Sequence, residues 1–233
     1  MNRTPIITVS TGKGGAGKTT TTISLADYWA STGYKIGLLN TDPNKSLSRW
    51  YEKGKKKGYF ENIVFKEELH EKNIITVAKA LCDEVDILLI DVAGIASVSL
   101  LKAAGIADLV IIPAQPNEDD FLEAIATKDI VKEAEELTGR SIACRTVLTR
   151  AKAGTRVLEH IAQQLEKKNF PLFKTIFYDR TIFPKSRFMG GTPISYGANE
   201  EAKKEISCFA HEVARMIGKE GQGSKEKQKS KAA

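Results

Sequence analysis

The residues best equipped for chemistry lie near the amino terminus, in Lys13-Gly14-Gly15-Ala16-Gly17-Lys18-Thr19-Thr20. With Gly12 they spell G-x-x-x-x-G-K-[ST], directly after the apolar run Ile6-Ile7-Thr8-Val9 and ahead of a helical stretch. The chemistry implied is phosphate binding. Glycines let the backbone curl until successive N–H groups point at phosphate oxygens. Lys18 is placed to reach the β- and γ-phosphates of a nucleotide, and the Thr19 hydroxyl to ligate Mg2+. The following helix turns its positive dipole end toward the same anion.

Two carboxylates are spaced to work with that loop. Asp91 closes the apolar run 87–90, where an aspartate holds Mg2+ directly or through water. Asp42 stands in Asn40-Thr41-Asp42-Pro43-Asn44, just after another strand signal, and an Asp-Pro turn has a purely structural reading as well. Glu118, Asp119 and Asp120 read as acidic residues in the first turn of a helix. His70, His160 and His211 have no ligand spacing. Cys82, Cys144 and Cys208 are odd in number and far apart, so they read as buried thiols of a reduced cytoplasm and not as a disulfide framework.

These groups must be held by a scaffold, and the pattern names one. Strand signals at 6–9, 35–40, 63–65, 86–91, 109–113, 141–149 and 172–177 alternate with helical stretches near 20–32, 72–84, 97–105, 118–137, 154–168 and 199–218. Several strands are continuous apolar runs, as expected of strands buried on both faces. The rhythm predicts an α/β fold, a doubly wound and mainly parallel sheet flanked by helices. In such sheets the ligand sits at the carboxyl ends of the strands. Lys13–Thr20, Asp42, Asp91 and Thr149-Arg150 all follow strands, so one sheet edge gathers them.

The chain has 233 residues, 42% hydrophobic and 27% charged, enough for one core. Residues 1–219 are expected to form a single nucleotide-binding domain, and the polar, lysine-containing stretch 220–233 a disordered tail. No apolar run is long enough to span a bilayer. With so early a first strand, neither a signal peptide nor a helix-turn-helix module is expected ahead of it.

The lysine at position 13, in Lys-Gly-Gly-x-Gly-Lys-Thr-Thr, makes the loop resemble the deviant Walker A of the ParA/MinD ATPases. The resemblance continues through Thr41-Asp42-Pro43 with Ser46-Leu47-Ser48-Arg49-Trp50, Asp91 with Ala93-Gly94, and Ile111-Ile112-Pro113, over 6–218. It looks closest to the short, ParF-like plasmid-partition branch. It implies a P-loop NTPase fold, ATP with Mg2+, and a homodimer formed on ATP binding in which Lys13 crosses to the partner's phosphates. It implies that Asp42 orients or deprotonates the attacking water, or serves the metal. Gly14, Gly15, Ala16, Gly17, Lys18, Thr19 and Thr20 would cradle the phosphates, and Thr149 and Arg150 would lie near the adenine. It further implies non-specific binding to double-stranded DNA, and a centromere-binding (ParB/ParG-like) partner that stimulates hydrolysis. The protein would then be cytoplasmic and nucleoid-associated. The polar tail lacks the apolar face that the membrane-bound MinD branch uses, so no membrane partner is expected. Where relatives commonly carry an aspartate two residues before Asp42, this chain has Asn40, which keeps an acceptor and loses the charge. Weakened metal binding or turnover is expected from that change. Three functions fit the resemblance: DNA partition, VirC1-like conjugation or cargo positioning, and a non-hydrolysing ATP-dependent scaffold.

Charge adds an independent indication. Residues 1–139 carry 16 Lys/Arg against 20 Asp/Glu, whereas 140–219 carry 15 against 7 and the tail 4 against 2. Positive charge concentrated in one half is the footprint of a polyanion-binding face. The candidate DNA contacts are Arg180, Lys185 and Arg187, in a loop after the last strand, and Lys203, Lys204 and Arg215 on the final helix. The run 53–57 and the tail lysines add diffuse attraction.

Overall fold

Seven apolar runs become one seven-stranded parallel sheet: β1 Ile6–Val9, β2 Ile36–Asn40, β3 Ile63–Glu67, β4 Ile87–Asp91, β5 Leu109–Ala114, β6 Ala143–Ala151 and β7 Leu172–Tyr178. Their order across the sheet is β3-β2-β4-β1-β5-β6-β7, and every pairing is parallel. The computed structural model describes residues 3–93, 98–154, 163–164, 170–197 and 199–218. Between the strands lie α1 Lys18–Ser31, α2 Ser46–Lys55, α3 Ile74–Cys82, α4 Val98–Ile106 and α5 Glu118–Thr138. After β7 come α6 Ile182–Phe188, α7 Pro193–Tyr196 and α8 Glu200–Met216. The doubly wound expectation holds. The helix expected at 154–168 lies almost wholly outside the described residues, and the tail 220–233 entirely so.

Side-chain alternation puts core on both faces of the sheet. In β4, Ile87 and Leu89 join a cluster with Ile23 and Trp29 of α1, Trp50 of α2 and Phe209 of α8. Leu88 and Ile90 face the other way, against Ala78 and Leu81 of α3 and Ala103 of α4. Period-two alternation thus serves both faces of a sheet whose strands read as unbroken apolar runs.

Register matters more to function than the layers do. Asn40 pairs with Asp91, and Asp91 pairs with Val9, so β2, β4 and β1 end level. The loops leaving them emerge side by side along one edge.

Three elements fall outside the helices expected from sequence. In α2 the buried residues are Leu47, Trp50, Tyr51 and Gly54, a helical i, i+3, i+4, i+7 stripe. The segment carrying Lys185 and Arg187 is the helix α6 and not a loop, and α7 follows with a Thr192/Ser195 capping box. Helix α2 abuts the α6–α7 turn. A Cβ at Gly54 would stand 2.4 Å from the Gly190 carbonyl oxygen, and Trp50 Nε1 donates to Gly191 O at 3.0 Å.

At the sheet's outer edge, α8 covers β7 with carboxylates. Glu212 accepts from the backbone N–H groups of Lys174 and Thr175, both at 2.8 Å, and Glu205 from that of Tyr178 at 3.3 Å. The thiols differ from expectation. Cys208, on the outer side of α8, is exposed, and Cys82 and Cys144 are half-buried.

Candidate nucleotide site

The loop between β1 and α1 turns on two left-handed glycines, Gly15 at φ +86° and Gly17 at φ +97°. Gly17 also has a neighbour: a Cβ there would press on Thr149 Cγ2 at 3.2 Å. Thr149 in turn donates its hydroxyl to Ala16 O at 2.8 Å. The end of β6 therefore pins the loop, through the Thr149 side chain on a loop carbonyl. On the other side Gln115, just after β5, donates its amide to Gly15 O at 3.3 Å.

Lys18 and Thr19 open α1 and are both buried. Thr19 Oγ1 donates to Asp91 Oδ2 at 3.0 Å. Asp91 is wholly buried, and its Oδ1 has no hydrogen-bond partner among the described residues. Burial pushes its carboxyl up to about 7, against the opposing pull of the Thr19 hydroxyl and the Lys18 charge. A hydroxyl and a half-used carboxylate side by side form the oxygen donor set that suits a hard divalent cation such as Mg2+.

Asp42 is buried on the turn after β2. Its Oδ1 accepts from Asn44 N at 2.8 Å, an Asx turn that carries the chain into α2. Asn40 braces that turn and is itself fully buried. Its Oδ1 accepts from Asp42 N at 3.2 Å. Its Nδ2 donates to Asp42 O at 3.2 Å, Ser48 Oγ at 3.1 Å and Glu67 Oε2 at 3.3 Å. Glu67, at the end of β3, also accepts from the Ser48 hydroxyl and pairs with Lys45 at 3.2 Å. These partners hold its carboxyl below the usual range, the Ser48 hydroxyl foremost. The charge that Asn40 lacks stands next to it, on Glu67.

Lys13 is engaged within its own chain. Its Nζ lies 2.8 Å from Asp120 Oδ1 and 3.3 Å from Asp119 Oδ2. Asp120 is fully buried, and its other oxygen accepts from Gln115 N at 2.8 Å. It is thus an internal anchor for the phosphate loop, beyond its place in the first turn of α5. No local sequence signal marks a pair 107 positions apart.

A cavity of about 370 Å³ opens beside the loop, between α1, α2, α6 and the ends of β6 and β7. Gly17 and Thr20 line it together with four arginines, Arg49, Arg150, Arg180 and Arg187. Arg150 holds a left-handed backbone, φ +49°. Arg187 is half-buried, and burial lowers its pKa. The chain thus brings its own arginines beside the phosphate loop; Arg150 is expected at this edge from its place after a strand, whereas no motif announces Arg49, Arg180 or Arg187 there. Of the basic candidates, Arg180 and Arg187 line this cavity and the others lie outside it. Arg180 is held by Glu205 at 2.7 Å and Glu201 at 2.6 Å, and Lys203 by Glu200 at 2.7 Å. Lys185, Lys204 and Arg215 are exposed.

The VirC1 protein family model matches residues 4–204. Protein ParA of Rhizobium radiobacter is 30% identical over 189 residues, covering 80% of this chain and 84% of its own. Protein virC1 of Rhizobium rhizogenes is 25% identical, covering 79% and 81%. Among solved structures, an ATP complex of a McdA variant from Cyanothece superposes with a TM-score of 0.76 at 16% identity, over 94% of this chain and 98% of that one.

Proposed function

This chain belongs to the VirC1 protein family, and we propose that it is an ATP-driven switch that dimerises, binds DNA and segregates it. It is a P-loop ATPase that uses ATP and Mg2+. The observation that carries the reading is the level register of β1, β2 and β4, which sets Lys18 and Thr19, Asp42 and Asp91 on one sheet edge. Lys18 and the loop amides bind the triphosphate. Thr19 and Asp91 would hold Mg2+, which when bound would neutralise charge on the β- and γ-phosphates. Asp42, fixed by its Asx turn and by Asn40, orients the attacking water. Buried hydroxyls and carboxylates held in place before the substrate arrives need little reorganisation during the reaction.

Dimerisation requires Lys13 to exchange Asp119 and Asp120 for the partner's phosphates. The ATP dimer then binds duplex DNA without sequence preference, near the nucleoid, and a centromere-binding partner stimulates its turnover. The VirC1 match favours one further reading, in which the same switch recruits machinery for conjugative transfer. A neighbouring gene for a small basic ribbon–helix–helix or ParB-like product marks partition. The non-hydrolysing reading is disfavoured, because Asn40 braces the turn while Asp42 and Asp91 both remain.

Sedimentation of the full chain with a slowly hydrolysed ATP analogue, alongside phosphate release with and without duplex DNA, tests the proposal. A dimer seen with the analogue and not with ADP is expected, together with slow turnover. A monomer under all nucleotides, or no phosphate release, overturns it.

A further inference from the structure

Segments 45–57 and 180–199 together hold nine Lys and Arg residues, and Glu52 is their single carboxylate. The fold brings these segments into contact. Gly54 and Gly190 approach backbone to backbone, and Lys53 Nζ sits 3.3 Å from Phe188 O and 4.9 Å from the centre of the Phe188 ring. Arg49, Lys53, Lys55, Lys56, Lys57 and Lys185 are exposed, and among the described residues none of them is in a salt bridge. Phe188, 74% exposed, projects within this basic field.

Helix α8 differs. It carries Glu200, Glu201, Glu205 and Glu212 beside its cations, and Arg180 and Lys203 are already paired with three of those carboxylates. A polyanion approaching α8 meets mixed charge, whereas one approaching α2 and α6 meets nearly unopposed positive charge. Unpaired surface cations also cost less to transfer to phosphates than cations that must first leave a carboxylate.

We propose that the corner formed by α2 and α6 is the surface that holds the phosphates of duplex DNA. The proposal rests on the reading that the ATP form binds DNA. It adds a route for nucleotide control. Helix α2 starts directly from the Asp42 turn, through Lys45 N donating to Asp42 O at 3.1 Å and Arg49 N to Lys45 O at 3.0 Å. Arg49, Lys53 and Phe188 also line the cavity beside the phosphate loop. A change at the Asp42 turn is therefore passed to the basic corner through the first turn of one helix.

Fluorescence anisotropy of the full chain with a slowly hydrolysed ATP analogue, on two unrelated duplexes over 50–200 mM salt, tests this. The triple variant Lys55→Gln/Lys56→Gln/Lys57→Gln removes three exposed cations outside the nucleotide site, so ATP binding is the folding control. If each contributes one phosphate contact, the log–log salt slope becomes shallower by about 2.7, and the wild type loses about fortyfold more affinity than the variant over that fourfold rise. Lys203→Gln/Lys204→Gln/Arg215→Gln is expected to change the slope by less than 1. Phe188→Ala should weaken binding with the slope unchanged. A larger slope change from the α8 triple than from the α2 triple overturns the assignment of this face while leaving DNA binding in place. A wild type that ignores duplex in every nucleotide state removes DNA binding itself.

Discussion

Replacing Asn40 by Asp installs the residue that the family resemblance leads one to expect there, and the structure says that it should harm this protein. Nδ2 of Asn40 now donates to Glu67 Oε2 at 3.3 Å; an Asp oxygen in its place would set two carboxylates at that separation. Coulomb repulsion there is about 5 kcal/mol at an effective dielectric of 20 and about 1.3 in bulk water. The Glu67 side chain is 27% exposed and Lys45 is 3.2 Å away, so about 2 kcal/mol is a fair expectation. Donations to Asp42 O and Ser48 Oγ are lost as well, at about 1 kcal/mol each where water does not replace them. The pair escapes part of the cost by taking up a proton, which from a reference value of 4.5 caps the repulsion near 3.4 kcal/mol at pH 7. Urea unfolding of the nucleotide-free protein should therefore show Asn40→Asp less stable by about 3 kcal/mol at pH 8 and by much less at pH 5. Adding Glu67→Gln returns most of the loss, because its amide donates back to Asp at position 40. Turnover should fall with the single variant and recover with the double, since the same turn positions Asp42. Wild-type stability in Asn40→Asp at pH 8, or a double variant no better than the single, refutes the bracing role.

The nucleotide-free protein should lose stability as pH rises. Asp91 titrates near 7 when folded against 3.8 in the reference state, so the folded chain keeps a proton that the unfolded chain releases. The stabilisation is complete below pH 4 and gone above about 7, up to ~4 kcal/mol in all. Asp91→Asn should flatten that profile in calorimetric scans and abolish the stabilisation by Mg-ATP; an unchanged profile refutes it. Lys18→Ala should abolish nucleotide binding measured by calorimetry. Lys13→Ala should bind ATP as a monomer in the ultracentrifuge, and a normal dimer fraction would remove the trans role. Asp42→Ala should slow phosphate release at least a hundredfold with little change in ATP affinity. A matching loss of affinity would make Asp42 a structural or metal-binding residue.

Much of this was legible in the chain. Strands buried on both faces leave apolar runs, and their alternation with helical periods predicts a parallel sheet whose carboxyl edge holds the ligand. The phosphate loop is contiguous, so spacing alone finds it. The parts that escaped are contacts across sequence. Lys13 with Asp120, Thr149 with Ala16 O, and Asn40 with Glu67 are 107, 133 and 27 positions apart, and none is marked by a local period. Helix α2 carried its signal at 47, 50, 51 and 54, masked by Gly54 and the lysines around it. Helices α6 and α7 are seven and four residues long, with Pro184 near the start of one and Pro193 opening the other, too short for a period to emerge. Net charge by region located the excess of cations and missed which of them the glutamates of α8 had already claimed.

The glutamates that α8 lays along β7 constrain how copies of this molecule can associate. An open strand invites another to add to it, and such additions bury backbone bonds that no nucleotide governs. Here Glu212 and Glu205 occupy amides that an eighth strand would use, and the opposite border, β3, is five residues long and ends in Lys66 and Glu67. Growth of the sheet from one molecule into the next is closed off on one side and discouraged on the other. The dimerisation proposed above would then be left to the loop edge, where hydrolysis could undo it, and assembly would be as reversible as the ATP that drives it.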